Sequence, residues 1–124
     1  MGDTALAGAL IGRPISLPPG LLVRFPELGA VRWRRGGLPV FIAGWFLGRR
    51  AAAAITLWNV VFVAPGVALE AELLLHELRH VHQFEASFAF PVRYLWESVR
   101  RGYFANRFEA DARAYAARRL RGAE

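Results

Sequence analysis

At residues 73–83 the chain reads LLLHELRHVHQ, which contains an HExxH run from His76 to His80. The surrounding residues 67–86 include no Gly or Pro, and their leucines and glutamates favour a helix. On a helix, positions i and i+4 lie about 40° apart around the axis and one turn along it, so both imidazoles can reach one metal ion. The run therefore predicts a helix that carries a metal site.

Two opposed faces make this predicted helix amphipathic. His76, His80 and Gln83 fall on one polar face of a helical wheel. The opposite face is apolar and carries Leu74, Leu78 and Val81. We therefore expect the apolar face to pack against a sheet and the histidine face to hold a metal. In the plainer alternative the histidines are simply solvated or hydrogen-bonded.

Glu77 and His82 occupy other directions on the same wheel. Glu77 is adjacent to His76 but rotated off the ligand axis, which suits a base that takes a proton from metal-bound water. Its alternative role is that of an ordinary surface carboxylate. His82 lies on the far side from both ligand histidines, so we expect it not to bind the same metal.

A third ligand has to come from outside the motif helix. The chain has no Cys, so a metal must be held by His and carboxylates. Glu109 is the best candidate, because small residues on its helical face would allow that helix to approach closely. These residues are Ala105, Ala112 and Ala116. The alternative is a capping box, in which Asn106 is the N-cap and Glu109 turns back to the cap amide.

Three more side chains are candidates for supporting roles around the ligands. Asp111 is a fallback ligand or a partner for Arg118 or Tyr115. Gln83 could orient the third ligand or touch the substrate, or be a simple surface amide. Tyr103 stands just ahead of the last predicted helix and could donate a hydrogen bond to a polarised carbonyl oxygen. An aromatic core position with a satisfied hydroxyl is its alternative.

The N-terminal part of the chain predicts a small sheet with short helices. Residues 1–20 are rich in Gly and Pro and predict a loosely ordered lead-in with one short apolar turn. Residues 21–28 predict a short helix broken at Pro26, and residues 30–35 predict a half-buried strand. Residues 38–47 are apolar and fit either a buried helix, which we favour, or a strand.

The remaining elements complete an α+β pattern. Residues 54–64 predict one long strand, or two short strands that turn at Trp58-Asn59, since Asn tolerates the positive φ of a tight turn. Residues 91–101 predict a second helix and residues 107–121 a third. We expect a small N-terminal β-sheet packed on the HExxH helix, followed by two C-terminal helices.

Size, charge and hydropathy bound the class of protein. The 124 residues suit a single domain, and the net charge of +6, all of its basic residues being Arg, weakly favours anionic partners. The first residues lack the basic start of a signal peptide, so we expect a cytoplasmic protein. Residues 51–69 carry no charge and could span a membrane by length. Asn59 and Pro65-Gly66 interrupt that segment, which suits strands better and leaves peripheral membrane contact as an alternative.

The pattern resembles the gluzincin-type zincin metallopeptidases, in which an HExxH helix is followed by a zinc-binding Glu on a second helix. The matching residues are His76, Glu77, His80 and Glu109. More closely, the chain is similar to small bacterial metallopeptidase-like domains with an HExxHxxQ core, some of which accompany contractile injection systems. The resemblance covers roughly residues 54–118 and includes the sequences ITLWNVVF, LLHELRHVHQ and EADA, the last with Asp111 in place of a second Glu.

This resemblance implies a minimal zincin-like fold that uses Zn²⁺ to hydrolyse peptide bonds. His76, His80 and Glu109 would be the zinc ligands and Glu77 the base. Residues 55–63 would form an edge strand that binds a peptide or protein substrate by strand addition. The chain departs from larger members in lacking their ExxxD pairing and a second lobe, so a partner protein could complete the cleft.

Two other classes of function stay open. One is a zinc-stabilised interaction domain that keeps the ligands without catalytic turnover. The other is an Arg-rich module that binds nucleic acid or an anionic membrane. Its candidate residues are Arg32, Arg34, Arg35, Arg49, Arg50, Arg100 and Arg101. A mostly solvated basic face explains these residues well, so we expect no specific nucleic-acid partner.

Overall fold

Four strands and a series of helices form the part of the chain that a computed structural model describes, residues 10–40 and 53–123. The strands are β1 (Arg13–Pro14), β2 (Arg32–Arg35), β3 (Ala54–Leu57) and β4 (Val60–Val63). The helices are α1 (Pro19–Arg24), the 3₁₀ helix Pro26–Ala30, α2 (Ala71–Ala86), α3 (Phe90–Ala105) and α4 (Arg107–Gly122). The prediction of an α+β fold is confirmed.

The sheet has the strand order β1-β2-β4-β3, so β3 lies at one edge of the described sheet. β4 pairs in parallel with β2 and antiparallel with β3. Residues 54–63 are therefore a hairpin that turns at Trp58-Asn59, as the two-strand alternative predicted. The positive φ of the turn, 57°, belongs to Trp58 rather than to Asn59. The ring of Trp58 packs against that of Phe84 at a centroid distance of 5.5 Å, a contact that offsets the unfavourable backbone.

Helix α2 packs its apolar face into the core. Its buried hydrophobic side chains are Leu74, Leu75, Leu78 and Val81. They meet buried residues of β4 together with residues from the 3₁₀ helix and β2, namely Val61, Val63, Leu28 and Trp33. Burying one face of α2 leaves its histidine face free to meet α4, so the amphipathic pattern positions the site.

The N-terminal region is more ordered than its Gly and Pro content predicts. Strand β1 pairs antiparallel with β2, and Leu17 is buried in the core, so the predicted loose lead-in is wrong for residues 10–20. The guanidinium of Arg34 supports this region by donating to the carbonyl oxygens of Ile11 and Gly12. Residues 1–9 of the lead-in and residues 41–47 of the predicted helix at 38–47 lie outside the described part of the chain.

Residues 53–69 include the β3–β4 hairpin, so this part of the candidate membrane span is not helical. Among residues 10–40 and 53–123, no helix is both long and apolar enough to cross a membrane.

A glycine separates most of α3 from its last turn. Gly102 has φ 79° and ψ 164°, a backbone conformation that is essentially restricted to glycine. Asn106 then caps α4, because its Oδ1 accepts a hydrogen bond from the Phe108 amide at 2.8 Å. The Asn106 amide nitrogen donates to the carbonyl oxygen of Tyr94 and to the Ser98 hydroxyl. The junction therefore fixes how α3 lies against the start of α4.

Replacing Gly102 with Ala tests this break. No atom lies within 4 Å of the position that an added Cβ would take, so the cost is conformational rather than steric. We expect Gly102→Ala to lower the free energy of unfolding by about 1 to 3 kcal/mol in chemical denaturation. Gly20→Ala is the matched control, because Gly20 lies in α1, is equally open and has no positive φ. An equal loss of stability in both variants would contradict the account of the junction.

Candidate metal centre

Two histidines of α2 and one glutamate of α4 converge on a single point. His76 Nε2 lies 2.8 Å from Glu109 Oε1, and His80 Nε2 lies 3.1 Å from the same oxygen. The ligand atoms of all three residues lie within 4.8 Å of one another, so the group could hold a metal ion. The approach of α4 is close because Ala112 and Ala116 are fully buried against α2 and its surroundings.

Glu109 faces the histidines rather than its own helix end. Asn106 caps α4 without it, so the predicted capping box is not formed by Glu109. The carboxylate is 4% exposed, and the side chains of His76 and His80 are 17% and 8% exposed. A buried carboxylate requires hydrogen-bonding or charged partners, and among the described residues both imidazoles reach its Oε1.

Proton positions at this cluster follow from the pKa values. Burial alone would lower the pKa of His80, but its hydrogen bond to Glu109 and the nearby Glu77 and Glu109 charges raise it to about 9. Burial alone would raise the pKa of Glu109, but hydrogen bonds from His76 and His80 hold it far below its ordinary value. The metal-free cluster is therefore an ion pair, with a proton between His80 and Glu109 at neutral pH.

Gln83 fixes the ring of His80 from behind. The Gln83 amide nitrogen donates to the Phe108 carbonyl at 3.0 Å and to Asp111 Oδ2 at 2.9 Å, which leaves its oxygen facing His80 Nδ1 at 2.8 Å. Because both neighbours of the amide nitrogen are acceptors, it is the amide oxygen that faces His80. An oxygen can only accept here, so Nδ1 of His80 must carry a hydrogen. The neutral His80 then has its lone pair on Nε2, the atom that points at Glu109. Gln83 thus orients a candidate ligand, His80, and not Glu109 as one of our sequence alternatives had it.

Asp111 also helps to orient His80, because it holds the amide of Gln83. Its carboxylate accepts hydrogen bonds from Arg79 Nε at 2.8 Å and from the amide nitrogen of Gln83. Both bonds lower the pKa of Asp111, and the bond from Arg79 has the larger effect. Arg79 also lies over the ring of Tyr115 at 5.1 Å. Asp111 is therefore paired with Arg79 rather than with Arg118 or Tyr115. It is not among the three residues that converge on the candidate metal position.

Glu77 is buried beside the ligand cluster and is held by the sheet. The hydroxyl of Thr56, on β3, donates to Glu77 Oε2 at 2.7 Å. The same hydroxyl lies 3.3 Å from the backbone oxygen of Glu77. Glu77 is 6% exposed, so it is not the ordinary surface carboxylate of the alternative interpretation. A carboxylate with one oxygen fixed in this way presents the other in a defined direction.

Two tyrosines of α3 cover the cluster. The Tyr94 hydroxyl donates to Glu109 Oε2, and its ring meets that of His80 edge to face at 6.0 Å. Burial and the Glu109 charge raise the pKa of Tyr94, and the same two causes raise the pKa of Tyr103. Both phenols therefore remain protonated and able to donate a hydrogen bond at neutral pH.

A cavity of about 230 Å³ opens beside these groups. Strand β3 forms one wall along residues Ala54–Leu57, and aromatic and aliphatic side chains of α2 and α3 form another. Glu77, His80, Tyr94, Tyr103 and Glu109 also line it. A small molecule or an extended chain in this cavity would meet an apolar wall on one side and the candidate metal centre on the other.

The structure brings together Glu77, Tyr103 and the three candidate ligands and places Gln83 and Asp111 behind them. His82 lies apart, with its ring against Tyr115 at 5.6 Å, as expected. Sequence reasoning missed Thr56 and Tyr94. A helical wheel could have suggested Tyr94, since Phe90, Tyr94 and Glu97 repeat at i, i+4 and i+7. Nothing local marks Thr56, because its role depends on how the hairpin meets α2.

The donor set fits a metal ion. Two imidazole nitrogens and a carboxylate oxygen are the typical protein ligands of a catalytic zinc site, at about 2.0 to 2.2 Å each. The observed N···O separations are 2.8 and 3.1 Å, and all three ligand atoms lie within 4.8 Å of one another, so the group could hold one ion. Without a cation or a proton, two lone pairs would face each other between His80 and Glu109.

Comparison of the chain with models of known protein families, with curated proteins and with solved structures found no match. Its function has to be inferred from the residues themselves.

Removing either the proposed carboxylate ligand or the support behind His80 should weaken metal binding to different degrees. We expect Glu109→Ala to lose stoichiometric binding of Zn²⁺ or Co²⁺, because two histidines alone are too few ligands. Gln83→Ala should bind the same ions about 10- to 100-fold more weakly, since His80 loses its orienting partner. Isothermal titration measures both affinities.

Glu85→Ala is the matched control, because Glu85 lies on the same helix and is exposed. Undiminished stoichiometric binding by Glu109→Ala would show that the carboxylate is not a ligand.

Metal affinity should also depend on pH in a defined window. A metal ion must displace the proton from His80, whose pKa in the folded metal-free protein is raised from 6.5 to about 9. We therefore expect the apparent affinity to rise by about one logarithmic unit per pH unit up to about pH 9, measured by competition with a chelator.

The stability of the metal-free protein should change in the opposite direction. The contribution of protonated His80 is fully present below pH 6.5 and is lost as the pH rises to about 9. His82→Gln should leave both profiles unchanged, since His82 lies outside the cluster. A metal affinity that stays flat from pH 6.5 to 9 would contradict this assignment of the proton.

Proposed function

We propose that the protein is a zinc-dependent metallopeptidase with a minimal zincin-like fold. The observation that carries this proposal is the convergence of His76, His80 and Glu109 beside a second carboxylate, Glu77, that is oriented separately by Thr56. Three ligands leave a coordination position for water, and a separate carboxylate supplies a base. A purely structural metal site needs four protein ligands and no such base.

Zinc is the proposed ion because the ligands are imidazole nitrogens and a carboxylate, with no sulfur. When bound, it would lower the pKa of a coordinated water and polarise a carbonyl group. Glu77 would accept a proton from the attacking water and donate it to the leaving amine. Tyr103 donates a hydrogen bond to the carbonyl oxygen as negative charge develops on it, and Tyr94 keeps Glu109 in place.

Strand β3 is the proposed docking strand for the substrate. It lies at the edge of the described sheet and forms one wall of the cavity that contains Glu77 and His80. An extended peptide can add to such an edge through backbone hydrogen bonds. The expectation that all of residues 55–63 serve as an edge strand is wrong, because β4 lies between β2 and β3. Within the hairpin, residues 54–57 of β3 lie at the edge of the described sheet.

The cavity favours a substrate with an apolar side chain near the cleaved bond. Its apolar lining comes mainly from Leu57, Phe84, Phe90 and Leu95. A charged side chain placed there would lose its hydration without a partner, whereas an apolar one gains from leaving water. Peptides with a large apolar residue at this position are therefore the proposed substrate class.

Replacing Glu77 with Gln separates the base from the metal. We expect Glu77→Gln to keep bound zinc but to cleave an unfolded protein such as casein at least roughly 100-fold more slowly, because a neutral amide cannot take the proton. Metal content is measured by atomic absorption and cleavage by release of soluble peptides. Glu85→Gln, an exposed change on the same helix, should cleave like the wild type.

The outcome that would overturn this mechanism is full activity in Glu77→Gln. A wild type that binds zinc but cleaves no unfolded protein would instead support the second candidate, a zinc-stabilised interaction domain. One observation favours that candidate: the ligands come from α2 and α4, so a metal would tie these two helices together.

The Arg-rich binding module has less support. The guanidinium of Arg34 donates to backbone oxygens of Ile11 and Gly12, and that of Arg35 donates to those of Ala64 and Val67. These contacts give both side chains a structural role in the fold. Arg49 and Arg50 lie outside the described residues.

A further inference from the structure

Helix α3 presents its large apolar residues outward. Four of them share one face at helical spacing and are 71%, 65%, 62% and 75% exposed, namely Val92, Leu95, Trp96 and Val99. We call these four residues the outer face of α3. A single exposed hydrophobic residue needs no explanation, but four on one helical face indicate an interaction surface.

The opposite side of α3 holds polar groups. Tyr94 faces Glu109, and Glu97 is 2% exposed. Glu97 forms ion pairs with the side chains of Arg101 and Arg107. The helix therefore has the reverse of the usual arrangement, in which the apolar face meets the core. Packing within the described part of the protein does not account for the outer face.

Basic side chains lie along one side of this surface. On a helical wheel Arg93 and Arg100 lie about 40° to 60° from Trp96, and both are exposed. The one acidic residue of α3 is Glu97, and it is buried and paired. The outer face is thus an apolar ridge with cations beside it and no exposed carboxylate of its own helix.

We propose that the outer face of α3 is a docking surface for an anionic lipid bilayer. A helix that lies in the interface buries its apolar face at the headgroup boundary and places Arg at its flanks, where the guanidinium groups meet lipid phosphates. Trp is the side chain most typical of that depth. The net charge of +6 adds attraction over a longer range.

The position of the cavity gives this docking a consequence. Pro91 and Leu95 lie on α3 and also line the cavity beside the candidate metal centre. Docking through the outer face therefore brings the wall of the cavity that α3 forms next to the bilayer surface. A chain segment lying along the membrane would reach it without leaving the interface.

Vesicle flotation of the full chain tests the proposal without any measurement of cleavage. We expect the wild type to bind vesicles that contain phosphatidylglycerol and to bind pure phosphatidylcholine vesicles at least roughly tenfold more weakly. Trp96→Ser combined with Val99→Ser should weaken binding to the anionic vesicles roughly tenfold or more. Neither residue lines the cavity.

The charge contribution is tested separately. Arg93→Gln combined with Arg100→Gln should reduce binding to anionic vesicles roughly tenfold or more and remove most of its dependence on salt. Arg13→Gln with Arg118→Gln is the matched control, since both arginines are exposed and lie outside α3. Val23→Ser is the matched control for the apolar change, because Val23 is 81% exposed on α1.

Three results would overturn the proposal: no vesicle binding by the wild type, equal binding to neutral and anionic vesicles, or control variants that lose binding as strongly as the α3 variants. A self-association that Trp96→Ser with Val99→Ser abolishes, seen by analytical ultracentrifugation without vesicle binding, would assign the face to a second copy instead. Thermal unfolding of each variant shows that it remains folded.

Discussion

The buried carboxylate of Glu109 holds together the helices that surround the candidate metal centre. It is almost completely enclosed, so it needs partners that carry or share positive charge. These come from two side chains of α2 and one of α3, and Glu109 itself belongs to α4. The three helices are therefore joined at a single anionic point, and a metal ion would strengthen the same junction by replacing a proton with a larger charge.

Support for this point extends outward through a defined sequence of contacts. Gln83 fixes one imidazole, Asp111 fixes Gln83, and Arg79 fixes Asp111 near the protein surface. The side chains of Asp111 and Arg79 are 40% and 33% exposed, so this series of contacts ends at charges that remain partly hydrated. The ligand geometry is therefore prepared before an ion arrives, which reduces the rearrangement that binding requires.

The features of the fold that the sequence predicted are those that depend on residues close together in the chain. The HExxH helix, its apolar face, the Trp58-Asn59 turn and the Asn106 cap all depend on residues that are near in sequence. Glu109 could be nominated because alanines on its face permit a close helix contact. Tyr94 could have been suggested by its helical spacing from Phe90 and Glu97, but Thr56 could not, since its role depends on how the hairpin meets α2. Strand β1 was missed for a similar reason, because its partner is about twenty residues away.

The way in which α3 is attached has a consequence for motion. Only Phe90 and Glu97 of α3 are buried, whereas α2 buries six side chains. Regions with few buried apolar contacts open locally at a smaller free-energy cost than the global unfolding of the domain. Helix α3 should therefore detach more readily than α2. The residues that would hold the metal lie on α2 and α4, so a local opening of α3 would widen the cavity while those two helices stay in place.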